Sequence, residues 1–323
     1  MFIRHLKKQS RFKRFLLKIL NIYAFEKETF KLINPLSKNI SSNYYKLNDK
    51  TFILSSGYLN LKRKIKKIDI YFRYAPNNQL WNSSKRWKRI IQNINKEDLI
   101  LTTLNSLKNS ILFFLENNKI DITINLISDA SNPKFDLLVK KLLNNRNFNI
   151  NFFETKKSGN RGSFLECCDQ AKNAEDIIFF IEDDYLFEKK CIDEMVFAYS
   201  RISTMLDNDI FLCPSDYPFY YDANYHTSLF IGKNYKWRKV SETLLTFMFT
   251  KEILNKHRDN IRKVGDTLNE PFEKPLHEVY KEVNCLAPIN SLSYHISRSV
   301  PSITENWKTT WNNNFNKYQK VIS

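Results

Sequence analysis

From residue 68 onward the chain alternates two kinds of hydrophobic pattern. Short apolar runs, "IDIYFRY" (68–74), "DITINLIS" (121–128), "FNINFFE" (148–154) and "DIIFFI" (176–181), have the length and composition of strands. Between them lie segments with apolar residues at helical spacing: about 83–94, then 98–118 with a short leading strand, 134–145 and 162–174. Strands alternating with helices at this spacing predict βαβ units and a mainly parallel sheet. Ile177–Ile181 is apolar at every position, which predicts a central strand covered on both faces. Further on, the pattern predicts helices over about 189–206, 251–263 and 270–284. It predicts strands over 243–250 and 285–296. Between them, 210–237 is rich in Tyr and Phe and has little helical signal.

Composition adds a size and a sign. The chain has 323 residues, 42 % of them hydrophobic, enough for one enlarged α/β domain with extensions at its ends. Five glycines are too few for a protein built on glycine-rich nucleotide loops. Lys and Arg exceed Asp and Glu by 51 to 34, a formal charge of +17 that favours anionic partners. Five cysteines without CxxC spacing predict neither a disulfide framework nor a zinc site, and so a reducing, cytoplasmic setting. No apolar run approaches the length of a membrane span, and the N-terminus lacks a cleavable-leader pattern. Residues 1–20 carry seven Lys/Arg, no acid and a rough apolar stripe. As a helix they suit an anionic membrane surface, which would make the protein peripheral on the inner membrane face, or equally a basic helix packed on the protein itself. The domain organisation predicted is an N-terminal basic extension (1–67), a catalytic domain (68–296) divided at 190/191, and a C-terminal tail (297–323).

The chemistry gathers where the strongest strand ends. Ile177–Ile181 runs straight into Glu182, Asp183 and Asp184. Ligands of open parallel sheets lie outside the carboxyl ends of the strands. If the chain stays extended, residues 182 and 184 project the same way. Two converging carboxylates suit Mg²⁺ or Mn²⁺ with phosphate oxygens completing the shell. The alternative is an acidic turn at the start of the next helix. Arg73 and Arg161 have the bidentate geometry that matches phosphate, as does Arg298. Aromatic residues between 216 and 237 offer flat faces for a sugar, with Asp216 and Trp237 as the leading acceptor-binding candidates.

"FFIEDDYLF" resembles the DxD-type motif of nucleotide-sugar-dependent glycosyltransferases of the GT-A fold, most like family 2. Three further segments follow in that family's order. "IDIYFRYAP" stands where its nucleotide-binding half begins, "LISDASN" where a strand ends in a base-contacting Asp, and "SGNRGSFLECCDQA" where it has an Asn-x-Gly helix start. The likeness covers about 68–190 closely and 191–296 loosely; its first acid here is Glu182 rather than Asp. It implies a Rossmann-like α/β fold with a nucleotide-sugar-binding half (68–190) and an acceptor-binding half (191–296). It implies a metal on Asp184, Glu182 and His295, and donor contacts from Arg73, Tyr74, Asp129, Asn160, Arg161 and Asp183. A general base would lie among Asp266, Glu270 and Glu273. Each of those acids reads equally as a first-turn acid favoured by the helix dipole, and His295 reads also as an ordinary core or surface histidine.

The activity so implied is metal-dependent, inverting transfer of a sugar from a nucleotide diphosphate to a hydroxyl of a glycan or glycolipid, in polysaccharide or glycolipid assembly. Two rival classes remain at this level. A basic nucleic-acid binder agrees with the charge, although no RRM, KH, zinc-finger or helix-turn-helix pattern is present. A non-catalytic sugar- or nucleotide-binding relative is the other.

Overall fold

The structure, a computed structural model, describes residues 30–32, 40–48, 51–59, 61–77, 91, 94–221, 227–266, 272–296, 304 and 306–322. The basic helix expected over 1–20, the helix over 83–94, Glu270 and Arg298 lie outside these residues. Side chains are described from residue 61 onward.

Three strands precede the regular region: β1 (Phe30–Leu32), β2 (Ile40–Asn48) and β3 (Thr51–Leu59), the last two forming an antiparallel pair. The alternating region then runs β4 (Lys67–Tyr74), α1 (Lys96–Leu115), β5 (Asp121–Ser128), α2 (Pro133–Leu143), β6 (Asn149–Glu154), α3 (Gly159–Gln170) and β7 (Ile177–Glu182). Strands β4, β5, β6 and β7 are mutually parallel and stand in the order β7-β4-β5-β6. This is the doubly wound half that the alternation predicted. Asn95 and Asn132 explain where α1 and α2 begin: each side-chain oxygen accepts from the backbone N–H three residues on. Ile177 to Ile181 are completely buried, as a strand covered on both faces must be.

The second half comprises β8 (Tyr185–Phe187), α4 (Cys191–Leu206), β9 (Phe211–Leu212), β10 (Thr227–Ile231), β11 (Lys236–Val240), β12 (Phe247–Thr250), α5 (Lys251–Asp266), α6 (Lys274–Val279), β13 (Cys285–Ile289), β14 (Ser293–His295) and α7 (Asn306–Ile322). It extends the same sheet to ten strands among the described residues, in the order β1-β10-β11-β13-β9-β12-β7-β4-β5-β6. Strand β12 runs antiparallel to both β7 and β9, and β13 runs parallel to β9. The carboxyl ends of β9, β13, β7 and β4 therefore all reach one edge of the sheet. Tyr- and Phe-rich 210–237 supplies β9, β10 and β11, which its pattern concealed. The late strand divides into β13 and β14 because Asn290 turns the chain with φ of 74°.

Both extensions contribute more than the sequence boundaries implied. Strand β1 pairs parallel with β10, and Arg63 forms an ion pair with Asp209 beside β9, so part of 1–67 belongs to the main sheet assembly. The tail is a docked helix. Trp307 and Trp311 of α7 bury against Leu186, Tyr294 and Ile296, while Asn314 bonds Asn105 of α1. Apolar residues of a terminal helix spaced by four give it one buried stripe, and α1 with the β8–β14 pair supplies the facing surface. Replacing Trp311 by Leu removes part of that filling. We expect a cost of about 1–2 kcal/mol and a melting point lower by roughly 2–3 °C. An unchanged melting curve would rule out a docked α7.

Candidate functional site

The carboxyl edge of the sheet brings the acidic triplet together with two cations and a histidine. Arg73 and Glu182 are register partners on adjacent strands β4 and β7, so their side chains meet directly. Arg73 Nη2 lies 2.6 Å from Glu182 Oε1. Its Nη1 donates to the Asn160 backbone oxygen at 2.9 Å, to the Asn160 side chain and to Ser163 Oγ at 3.3 Å. One buried guanidinium thus ties two strand ends to the first turn of α3. Burial pushes the Glu182 carboxyl above the usual range; Arg73 opposes this, and the neighbouring charge of Asp184 adds to it.

The chain turns at Asp183 and Asp184 instead of staying extended. Glu182 Oε1 is engaged by Arg73 and Asp184 Oδ2 faces His295, while the charges of Asp184 and His295 both still act on Glu182. Glu182 is committed to Arg73. Asp183 takes Lys96 Nζ at 2.5 Å and the Ala75 N–H at 3.0 Å, and its backbone oxygen takes Thr103 Oγ1 at 2.7 Å. Burial raises its carboxyl as well, with Lys96 opposing. Asp184 meets His295, Oδ2 to Nε2 at 3.1 Å. That pair is held from beneath: the Ile296 N–H donates to the Asp184 backbone oxygen at 2.9 Å, and Tyr185 stacks on the His295 ring at 4.9 Å. The Tyr185 hydroxyl in turn bonds Tyr217 at 2.6 Å.

Among the described residues no three of His, Cys, Asp and Glu are grouped to hold a metal. Asp184 and His295 hydrogen-bond each other directly at 3.1 Å, and these two side chains are the ones here that would hold a divalent ion between them. Carboxylate and imidazole are both acceptable to Mn²⁺, and a site with two protein ligands leaves positions for phosphate oxygens.

The other expected residues are placed as follows. Asp129, buried after β5, accepts from the Gly159 N–H at 2.7 Å and from Thr155 at 3.4 Å, bracing the start of α3. The Asn-x-Gly motif has a backbone reason. A Cβ on Gly162 would lie 1.8 Å from the Lys157 carbonyl oxygen, so only glycine lets the chain approach. Arg161 is half-buried in the same turn. Tyr74 is a correction: it is buried, and its hydroxyl donates to Asp136 of α2 at 2.6 Å, so its ring is core and not a donor-binding surface. Trp237 is a second correction. It is fully buried with Nε1 donating to Glu194, because β11 lies inside the sheet, and it offers no face to an acceptor. Asp216 follows β9 and is enclosed by Arg238, Tyr221 and the Asn290 N–H. Asp266 is exposed at the end of α5. Glu273, half-buried just before α6, stands close enough to Glu182 for its charge to raise that carboxyl further.

Lys96, Thr103 and Tyr185 are not singled out in the sequence, whereas Tyr217 falls within the aromatic 216–237 segment. Lys96 follows a cap residue, Asn95, but nothing in the chain separates it from fifty other cations. Tyr185 was adjacent to the motif and could have been found by asking what lies against the acids.

The family model described as Glycosyl transferase family 2 matches residues 90–261, more than half of the chain. This chain belongs to glycosyltransferase family 2. The match spans α1 through α5 and includes the acidic triplet, whereas His295 and α7 lie beyond it. A search of curated proteins found no match. Among solved structures, UDP-glucose pyrophosphorylase complexed with UDP-glucose is 12 % identical, covers 80 % of this chain and 99 % of its own, and has a TM-score of 0.43. TarS (residues 1–349) of S. aureus in complex with UDP is 12 % identical over 79 % of this chain and 64 % of its own, with a TM-score of 0.46. GlyE of Streptococcus pneumoniae is 11 % identical over 80 % and 64 %, with a TM-score of 0.41. Likenesses this distant carry nothing about substrate. Among the described residues of this family 2 chain, no helix is long and apolar enough to cross a membrane.

Proposed function

We propose that the protein transfers a sugar from a nucleotide diphosphate to a hydroxyl of a glycan or glycolipid acceptor, with inversion. The observation that carries this reading is the Asp184–His295 pair at the carboxyl edge of β7 and β14. The other two acids of the triplet are already matched by Arg73 and Lys96. A divalent ion, Mn²⁺ or Mg²⁺, held by Asp184 and His295 would supply positive charge where the departing diphosphate becomes more negative.

The chain's own residues do the rest. Arg73 and Asn160 fix the strand end and helix turn against which the diphosphate would lie. Asp129 keeps the start of α3 in place beside the nucleotide. The acceptor hydroxyl attacks the anomeric carbon as the bond to the phosphate oxygen breaks and its electron pair leaves with the phosphate. The hydroxyl proton passes to a carboxylate. Glu273 is the favoured base because its charge reaches Glu182, with Glu270 and Asp266 as the other acids of that segment. Attack from the side opposite the leaving group inverts the anomeric centre. A setting in polysaccharide or glycolipid assembly, with residues 1–20 on the anionic inner membrane face, agrees with their seven cations and apolar stripe.

The test is a melting-point panel of UDP, GDP, CDP and dTDP, each with and without Mn²⁺. A nucleotide at 100 times its dissociation constant stabilises the native state by about 2.7 kcal/mol. For a chain of this size that is a rise of roughly 4 °C. One nucleotide should give a Mn²⁺-dependent rise. A folded sample that responds to none of them would sink the proposal.

A further inference from the structure

The acceptor half contains an aromatic residue whose arrangement has no role in the chemistry above. Tyr221 ends the 3₁₀ turn Pro218–Tyr221 and, among the described residues, is with Phe152 one of two exposed large aromatic side chains, 37 % exposed. It is also firmly held. The Arg238 guanidinium lies over its ring at 4.3 Å, and over Tyr220 at 4.8 Å. Its hydroxyl donates to Asp216 Oδ2 at 2.7 Å, and the same oxygen takes the Asn290 N–H at 3.1 Å. Arg238 closes the group through its ion pair with the other Asp216 oxygen. One face of the phenol is thus covered by a cation, its edge is tied to a carboxylate, and part of the ring remains in water.

The place matters as much as the ring. Asp216 follows β9, and Asn290 follows β13, so both leave the sheet at the edge that carries Asp184. The same segment touches the chemistry directly, since Tyr217 bonds Tyr185, whose ring stacks on His295. Tyr221 is four residues further along. A 3₁₀ turn rises about 2 Å per residue, so roughly 8 Å of chain separates the two positions. A ring at that remove is beyond the reacting hydroxyl and within reach of a neighbouring sugar.

We propose that Tyr221, held by Arg238 and Asp216, is a stacking platform for a sugar ring of the acceptor adjacent to the one that carries the reacting hydroxyl. The inference rests on the glycosyl-transfer reading for the word acceptor, but the site itself requires only a saccharide. A pyranose presents an apolar C–H face that suits an aromatic face, and prior fixation of the ring removes the entropy of ordering it on binding. The occupant is a glycan of at least two residues, bound without regard to charge. Tyr221 should contribute to affinity for such chains and not for monosaccharides.

The experiment uses the full chain and saturation-transfer NMR with methyl pyranosides and with disaccharides and trisaccharides of glucose, galactose and their N-acetylamino forms. Wild type should bind at least one oligosaccharide more tightly than its methyl monosaccharide. Tyr221→Ala should weaken that oligosaccharide about five- to tenfold. Tyr221→Phe and Tyr221→Trp should keep most of the affinity, since they keep a ring. Circular dichroism and the melting transition establish that each variant is folded. Equal oligosaccharide binding by folded Tyr221→Ala overturns the proposal. So does a wild type that responds to nucleotide yet binds no member of the panel. Failure of the nucleotide test with Tyr221-dependent saccharide binding intact would instead overturn the transfer reading and leave this site standing.

Discussion

Asp184→Ala is expected to lower kcat by about three orders of magnitude while leaving the fold intact. Asp184 contributes a carboxylate oxygen 3.1 Å from His295 Nε2, and it occupies a turn instead of the interior of the strand. Removing it takes away one of two protein ligands of the proposed metal. Preorganised charge at a developing anion is worth about 10² to 10³ in rate for a single donor, and a metal exceeds that. The folding cost should be small, because the backbone oxygen of residue 184 keeps its bond from Ile296 whatever the side chain. Asp184→Asn is the sharper variant. It preserves shape and one oxygen, and should also fail, since an amide carries no charge to hold a cation. Turnover is read as nucleotide release from the nucleotide sugar whose nucleotide stabilised the protein. If Asp184→Asn kept most of the rate, the metal assignment would be lost and charge compensation by His295 alone would have to be considered.

The second large effect concerns stability. Arg73→Met should cost about 2–4 kcal/mol, because it leaves the mostly buried Glu182 carboxylate, 21 % exposed, without its partner. At this chain length that is a fall of roughly 3–6 °C in melting point. Arg73 is 4 % exposed, so water cannot take its place. The pH dependence has a definite sign. Burial already holds the Glu182 carboxyl above its ordinary value, and removal of Arg73 takes away the main charge opposing that rise. A carboxyl raised by folding binds a proton more readily in the native state, so stability is retained at low pH and lost as pH rises through the folded value. The variant should therefore compare best with wild type near the ordinary carboxyl range and worst at neutral pH. Adding Glu182→Gln should recover much of the loss at neutral pH, which separates the stranded charge from the lost bonds to Asn160 and Ser163. A melting-point difference that is small and flat from pH 5 to 8 would show that the ion pair does not govern this edge of the sheet.

The two variants divide what a reading of "EDD" could not. In the sequence the three acids form one unit, and the expectation was a shared metal site on Glu182 and Asp184 with Asp183 toward the donor. In the structure they have three different partners, Arg73, Lys96 and His295, from three separate elements. The local cause is the turn at 183–184, which breaks the two-residue repeat of a strand. Glu rather than Asp at 182 agrees with this: its longer side chain meets the register-paired Arg73. The sequence also placed Trp237 and Tyr74 at binding surfaces, and both are interior. An aromatic residue in a strand has the same local signature whether its strand is at the edge or in the middle of a sheet. The position of β11, between β10 and β13, decided the first case, and the packing of α2 over β4 decided the second.

By itself the sequence determined the βαβ alternation from β4 to β7, the buried central strand and the clustering of acids at its carboxyl end. These follow from local periodicity and from which end of a strand precedes a loop, and both are written in neighbouring residues. The tertiary structure alone decided which cation each acid meets, that the C-terminal segment is a helix docked beneath β8 and β14, and that Tyr221 is fixed by Arg238 and Asp216. Those contacts join residues far apart in the chain. Their energies arise from burial and distance in space, which no stretch of sequence contains.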